Sequence, residues 1–444
     1  MQKETEPLNP NVAIMNTTPA DNPNVKTKSQ GWPRRFTMVI LFFTGNLNCY
    51  MDRISISVTA PVIMLERGWD ESQLGLILSS FFLGYTLLQI PGGWLADRFG
   101  GKKILTLGVL WWSIFTIITP LARTVTNMAL FRVLMGLGEG VNFPSMQSLT
   151  ARWVPVTERS RVMGFTLSGI SVGNIIAFPL CTWIMSTIGW QYVFYIFGLI
   201  GFIWIAFWIA LSANTPEEHK TISQSELDYI KTNRPEIPPV DKIPWKKILA
   251  KPPVWALIIN HFCNSWGFFM FLTWLPTYLV RAHGFSLKEM GFYSMLPYIA
   301  MVIGSNGAGW LADYCIKRTN KITFIRKLFH SISLLSASVF LIFLAHAESK
   351  PVVIILITLA LGMMSMTGST TGPNAMDIGP RYAGVIMGMQ TTAGNIAGVI
   401  VPLVVGFIVS VFNRWDLIFY IAAAVMTFAV IVWDVFATGE QVLD

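Results

Sequence analysis

The sequence predicts an all-α membrane protein of twelve transmembrane helices arranged as two six-helix repeats. Three observations carry this. The 444-residue chain is 53% hydrophobic and only 13% charged, where soluble domains carry about a quarter charged residues. Mainly apolar stretches of about 20 residues recur, each long enough to cross a hydrocarbon layer of ~30 Å at ~1.5 Å per residue. The string GWLAD occurs at Gly93–Asp97 and again at Gly309–Asp313, 216 positions later and close to half the chain away, which signals an internal duplication.

In order, the spans fall at 36–62, 73–97, 103–122, 126–150, 160–185, 190–212, 252–280, 289–313, 325–346, 352–376, 382–411 and 416–437. Spans 7 and 11 are interrupted by Gly, Pro and polar residues. Residues 1–35 are polar and rich in Pro, Asn and acids. They have neither the apolar centre of a signal peptide nor the acid-poor, Arg-rich character of a transit peptide, and read as a disordered cytoplasmic tail. Spans 1–6 form an N-terminal bundle over 36–213. Residues 214–251, the long charged stretch between spans, form a cytoplasmic linker. Spans 7–12 form a second bundle over 252–437, and 438–444 a short cytoplasmic tail.

Orientation follows from the basic residues, which concentrate on the cytoplasmic side. With both termini inside, only Arg67, Arg123, Arg281, Lys288, Lys350 and Arg414 face outward, and Arg53 and Arg132 lie within spans. The rest of the 32 Lys and Arg are cytoplasmic, so the net charge of +8 is inner-leaflet bias. A nucleic-acid partner is excluded, because there is no soluble basic face. The four cysteines, Cys49, Cys181, Cys263 and Cys315, are scattered through or beside spans without disulfide or metal spacing. No Ser-His-Asp set or metal motif is present, so neither an enzyme nor a cofactor is expected. The expected location is the plasma membrane (the inner membrane in a bacterium), the expected state a monomer.

A second echo supports the duplication: GNIIAFPL at 173–180 and GNIAGVIVPL at 394–403. Two six-helix halves in parallel repeat resemble the major facilitator transporters, whose substrate site lies between the halves near mid-bilayer. GGWLADRFGGKK resembles the loop 2–3 signature of that superfamily. More narrowly, RVLMGLGEGVNFPSMQSLTARWVPVTERSR, NHFCNSWGFFMFLTWLPTYL, NAMDIGPRYAGVIMG and FATGEQVLD resemble the anion:cation symporter branch. That branch includes sialin, the vesicular glutamate transporters, plastid phosphate/anion transporters and bacterial sugar-acid carriers. The resemblance runs from about residue 36 to the C-terminus. It implies secondary transport of a small anion by alternating access.

The repeated aspartates, Asp97 and Asp313, sit at cytoplasmic helix ends, beside Arg98 and near Lys317 and Arg318. There a carboxylate can hold charge pairs or a neighbouring helix N-terminus in one conformation and release them in another. Asp97, Arg98 and Asp313 are therefore candidate gates rather than substrate contacts.

Charges within spans are costly, at least ~2.5–3.5 kcal/mol each on insertion scales, and normally face a cavity or one another. Span 1 carries Asp52 and Arg53. Span 4 carries Arg132 and Glu139, two helical turns apart and so on one face. A structural explanation pairs Asp52 with Arg132, or Arg53 with Glu139, to lock the two spans together. The functional explanation separates two kinds of work. Arginine keeps its charge and offers a planar fork to carboxylate or phosphate. A carboxylate whose surroundings change can take and release a proton. Arg53 and Arg132 are then substrate-binding, and Asp52 and Glu139 proton-coupling. The resemblance agrees: the branch's helix 1 Arg matches Arg53, and its helix 4 Arg and Glu match Arg132 and Glu139. Its bacterial sugar-acid carriers have an Asp-Arg pair like Asp52-Arg53. Relatives with Asn-His before the span 10 Asp-Ile have a His where this chain has Ala375, so no coupling role is carried to it.

Further cavity candidates are Tyr50, three residues before Arg53, and Tyr85 in span 2, both of which match the family. On the C-terminal side they are Asn374, Gln390 and Thr391. Trp266 and Trp274 read as wall or gate packing, and His261 as a solvated interfacial residue. GLGEG at 136–140 lies within an apolar helix and serves close helix approach rather than phosphate binding. The combined expectation is proton-coupled symport of a small organic anion, such as a sugar acid or other carboxylate. The rivals are an inorganic phosphate carrier coupled to Na⁺ or H⁺, a proton-driven exporter of a larger metabolite, and a non-transporting sensor on the same fold.

Overall fold

The computed structural model describes residues 32–234 and 243–443, and the first 31 residues of the expected tail lie outside them. The first half comprises α1 (Arg34–Arg67), α2 (Glu71–Phe99), α3 (Gly101–Ile118), α4 (Val125–Gly140), α5 (Asn142–Trp153), α6 (Val156–Thr187) and α7 (Gln191–Leu211). Two short helices follow in the linker, α8 (Gln224–Thr232) and α9 (Trp245–Leu249). The second half comprises α10 (Pro252–His283), α11 (Leu287–Tyr293), α12 (Leu296–Thr319), α13 (Ile322–Leu344), α14 (Lys350–Ser365), α15 (Gly368–Ile378), α16 (Ala383–Phe412) and α17 (Asp416–Phe436). Twelve spans result, because α4–α5, α11–α12 and α14–α15 are each one span broken once. At the first break Pro144 has no N–H for the Gly140 carbonyl, and within α15, past the last break, Pro373 has none for that of Ser369. The Ser369 carbonyl is taken instead by the Arg326 guanidinium, at 2.8 Å.

Eight helical stretches among the described residues are long and apolar enough to cross a membrane on length and composition alone. Spans 1, 4, 7 and 8 fall short of that measure. Span 4 is broken, and span 1 buries Asn46, Asn48, Asp52, Arg53, Ser55, Ser57 and Thr59. These groups turn inward, so the helix needs less apolar surface than its length suggests.

Small residues bring the helices together as GLGEG implied. A Cβ on Gly136 would come within 2.1 Å of the Phe81 carbonyl oxygen, and one on Gly84 within 2.0 Å of that of Val133. The α2 and α4 backbones therefore touch, which fixes their facing side chains.

The halves meet at the end remote from both termini. There Gly75 of α2 lies against the Pro402 carbonyl, Gly406 of α16 lies against that of Glu71, and Arg281 pairs with Glu71 at 3.0 Å. On the other seam Gly291 of α11 lies against Thr182 of α6. Toward the end bearing the termini, Gly164 of α6, Gly307 of α12, and Gly384 and Gly388 of α16 have open space where a Cβ would stand. The molecule is thus sealed at the far end and open at the terminal end.

Each half ties its terminal end in the same way. Lys102, early in α3, donates to the Ile209 and Ser212 carbonyls where α7 ends. Lys327, early in α13, donates to the Asp434 carbonyl near the end of α17. The segment leaving each half then crosses beneath it: Trp153 donates to the Ala213 carbonyl at 3.0 Å and Asn374 to that of Thr438 at 2.7 Å. The stretch expected as a tail, 438–444, is packed against the second half as far as residue 443. Val442 and Leu443 donate to the Ile378 carbonyl, and Leu443 is buried. The linker is likewise docked in part. Glu226 of α8 accepts from the backbone N–H groups of Arg34 and Arg35 at 2.9 and 3.0 Å, capping the first turn of α1.

Candidate functional site

Arg53 lies roughly 28 Å along α1 from its start, counting ~1.5 Å per residue, and so well inside the bundle. Its guanidinium meets Glu139 of α4, with Nη2 and Nε at 2.8 and 3.2 Å from one carboxylate oxygen, Oε2. Glu139 is fully buried and Arg53 only 6% exposed. Three rings close around the cation: the Arg53 guanidinium carbon is 4.4 Å from the Tyr50 ring centre and 4.8 Å from those of Phe81 and Tyr85. Tyr50 and Tyr85 therefore join Arg53 as expected, through their ring faces. The GLGEG approach of α4 to α2 is what places Glu139 against this group.

Arg132 lies across Phe81, its guanidinium carbon 4.7 Å from the same ring, so two cations share one aromatic. It is 2% exposed, its Nη1 points at the Met135 sulfur at 3.1 Å, and its buried Nε has no partner. Among the described residues no carboxylate stands within 4 Å of it. The structural pairing of Asp52 with Arg132 is therefore absent, while that of Arg53 with Glu139 is present. Asp52 is fully buried. One oxygen accepts from Asn48 at 3.4 Å and the other is without a partner. The site thus contains one closed ion pair, one open guanidinium and one open carboxyl.

The C-terminal candidates divide. Gln390 of α16 is buried with its amide nitrogen unpartnered, about 10 Å into the helix. Thr391 returns its hydroxyl to the Met387 carbonyl. Asn374 is not brought to the cavity: it lies one turn from the terminal end of α15, with its amide bound to Thr438. Trp274 is buried in packing as expected, and Trp266 packs at the edge of the core. His261, expected to be solvated, lies against Gly394 and Ser265, between α10 and α16. Asn395 reaches across the halves to Gln89 of α2, the inter-half hydrogen bond nearest the open end.

Sequence reasoning missed Phe81, Cys49 and the Gln89–Asn395 contact. Cys49 donates its thiol to Glu139 Oε2 at 3.1 Å. Helical spacing held the signal: Cys49 is one turn before Arg53, and Phe81 one turn before Tyr85.

Of the candidate gates, Asp97 accepts from Ser148 of α5 at 2.7 Å, and the Arg98 guanidinium lies over Trp94 and Phe99. Asp313 is exposed and, among the described residues, makes no hydrogen bond or ion pair.

Comparison with known proteins agrees with this architecture. The sequence model of the Major Facilitator Superfamily matches residues 41–402. The chloroplastic ascorbate transporter of Arabidopsis thaliana is 40% identical, over 95% of this chain and 79% of its own length. The chloroplastic sodium-dependent phosphate transport protein 1 of the same plant is 39% identical, over 93% and 81%. Sialin of Homo sapiens is 37% identical, over 84% and 77%. Among solved structures, a bacterial homologue of the human lysosomal transporter Spinster, in an inward-facing and occupied conformation, superposes with a TM-score of 0.75 at 18% identity, covering 91% of this chain and 97% of that one. The similarity to sialin and the plastid transporters agrees with the resemblance read from the motifs. Two of these relatives are chloroplastic, so the expected plasma-membrane location gains no support from them; a multi-pass membrane protein is what stands.

Proposed function

The chain belongs to the Major Facilitator Superfamily, and from that premise we propose that it is a proton-coupled symporter of a small organic anion, a sugar acid or another carboxylate, working by alternating access. The observation that carries this reading is Arg132: a buried guanidinium, stacked on Phe81, with its Nε left open and, among the described residues, no carboxylate in an ion pair with it. Such a group is costly unless an anion completes it.

The coupling follows from the ion pair. In this structure Arg53 is held by Glu139. An anion bridging Arg132 and Arg53 competes for the donors that Glu139 uses. Glu139 then loses its cation and is neutralised by a proton, because a buried carboxylate without a partner is strongly disfavoured. Anion binding and protonation thus favour each other, which is reciprocal linkage. Asp52 supplies the second proton site. Two protons with a monovalent anion carry one net positive charge inward, and the membrane potential adds about 2.3 kcal/mol per 100 mV. Both termini are cytoplasmic in this reading, from the distribution of Lys and Arg, so the open end faces the cytoplasm. The protein acts as a transporter and no enzyme chemistry is invoked; a monomer contains the whole site.

The test is proton influx into proteoliposomes, read with a trapped pH dye, on adding sugar acids, sialic acid, glutamate, other carboxylates and phosphate in turn. Influx with an organic anion, absent in Glu139→Gln and Arg53→Ala, is the expected result. Uptake that requires sodium at fixed pH, or is given by phosphate alone, overturns the proposal in favour of the phosphate reading that one relative's name suggests.

A further inference from the structure

The linker's second docked element, α9, opens onto a feature that transport does not use. At the terminal end of the second half, Pro252, Trp255 and Ile259 of α10 face Phe428, Val432 and Phe436 of α17 across an apolar groove, with Ala250 at its mouth. The stripes are at helical spacing, i and i+4 on α10 and i, i+4 and i+8 on α17. Trp255, Phe428 and Phe436 remain 47%, 53% and 48% exposed. Above the mouth, α9 buries Ile248 in the core of the second half, and the Trp255 indole donates to the Leu249 carbonyl at 2.9 Å. This fixes α9 against the start of α10.

Lipid-facing apolar surface is ordinary, but the segment that leads into this groove at Ala250 and Pro252 is basic. Lys246, Lys247 and Lys251 lie within six residues there, and among the described residues none of them is in an ion pair. Lys102, Lys327 and Lys350, by contrast, are each bound to protein oxygens. Trp245 and Trp255 flank the lysines, as amphipathic rings do at the headgroup level. We propose that this groove and these lysines form a binding site for one anionic phospholipid, with an acyl chain between α10 and α17 and the headgroup phosphate on Lys246, Lys247 and Lys251. The groove offers no polar group, so it selects a hydrocarbon chain; the mouth offers three cations, so it selects an anionic head. A lipid bound there pins the start of α10, and with it the second half, to the membrane surface.

The experiment is native mass spectrometry and thermal melting of the full chain in detergent, titrated with phosphatidylglycerol, phosphatidylcholine or inorganic phosphate. Phosphatidylglycerol is expected to be retained at one copy and to raise the melting temperature, phosphatidylcholine to do neither. With each lysine contributing about 1 kcal/mol near an anionic headgroup, the triple variant Lys246→Gln/Lys247→Gln/Lys251→Gln should bind phosphatidylglycerol roughly a hundredfold more weakly. Ala250→Trp, which blocks the mouth and keeps the lysines, should lose the retained copy. Equal retention of the two lipids by the wild-type protein overturns the proposal without any variant. So does stabilisation by inorganic phosphate as large as that by phosphatidylglycerol, which makes the lysines a site for a free anion. Undiminished binding by the triple variant overturns it as well.

Discussion

The two halves of the molecule share a scaffold and differ in what they bury. Each caps its sixth span with a lysine from its third, Lys102 and Lys327, and each holds the segment leaving it from beneath, through Trp153 and Asn374. Yet Asp52, Arg53, Arg132 and Glu139 all lie inside the first half. The matching interior of the second offers Asn260, Thr277, Gln390 and Asn395, and its buried Arg326 is spent near the terminal end on Asp377 and the Ser369 carbonyl. Duplication has thus kept the joinery and let the interiors diverge. The consequence is mechanical. Four charges within one half keep their mutual distances while the halves rock, so only a neutral wall moves past them. An ion pair that spans the halves, as Arg281–Glu71 does at the sealed end, has to be broken in every cycle, and one deep in the site would be costly to break because it leaves uncompensated buried charges.

The sharpest way to break this contrast is to open the one closed pair. Arg53→Ala leaves Glu139 buried without its cation and should destabilise the protein by about 3–5 kcal/mol. Glu139→Gln on the same background should recover part of that loss, since no charge is then orphaned. Unfolding in detergent measures both. If the single variant is as stable as the wild type, the ion pair does not organise the first half.

Arg132 should behave oppositely, because it leaves no carboxylate behind. Arg132→Gln should lower anion uptake about 100-fold, the scale for removing a donor aimed at a buried anion, with a small change in melting temperature. Large instability with intact uptake per folded molecule would reverse the roles of the two arginines.

The neutral wall is expected to tune affinity rather than coupling. Gln390→Ala removes a donor worth about 0.5–1.5 kcal/mol net and should raise KM about 2- to 10-fold. The ratio of protons to anions should stay the same, since the acids belong to the other half. A changed ratio would show that the second half takes part in coupling.

Most of the scaffold was legible in the sequence, because spans advertise themselves by length and apolarity and a duplication by its echo. The intramembrane charges were legible for the complementary reason, that a bilayer makes each one conspicuous. Which of them pair was not. Asp52 and Arg53 are adjacent and point about 100° apart on the helix, and only the approach of α4 at Gly136 and Gly84 decides that Arg53 meets Glu139. Asn374 misled because a polar residue in a span suggests a cavity; it serves instead the peptide that leaves α17, whose course no local pattern announces. Phe81 was passed over for another reason: it stands one turn before Tyr85, but an apolar ring in an apolar helix reads as packing, and the spacing alone does not reveal the two cations it separates.

The smallest effect concerns the string that revealed the duplication. Asp97 and Asp313 end identical pentapeptides, yet the first receives a hydrogen bond from Ser148 and the second none among the described residues. Local sequence places both carboxylates at the terminal end of a helix, and the neighbour then decides their worth. Asp97→Ala should cost about 0.5–1.5 kcal/mol, the net value of a hydrogen bond, and toward the low end because the pair is exposed. Ser148→Ala should cost the same, and the double variant no more than either alone, since both remove one contact. Asp313→Ala should stay within about 0.5 kcal/mol, as surface substitutions without partners do. This ranking applies to the molecule open at its terminal end. If Asp313→Ala proves as costly as Asp97→Ala when the protein is trapped closed at that end, Asp313 gains its partner only on closure, and the second copy of the string is then the gate that moves.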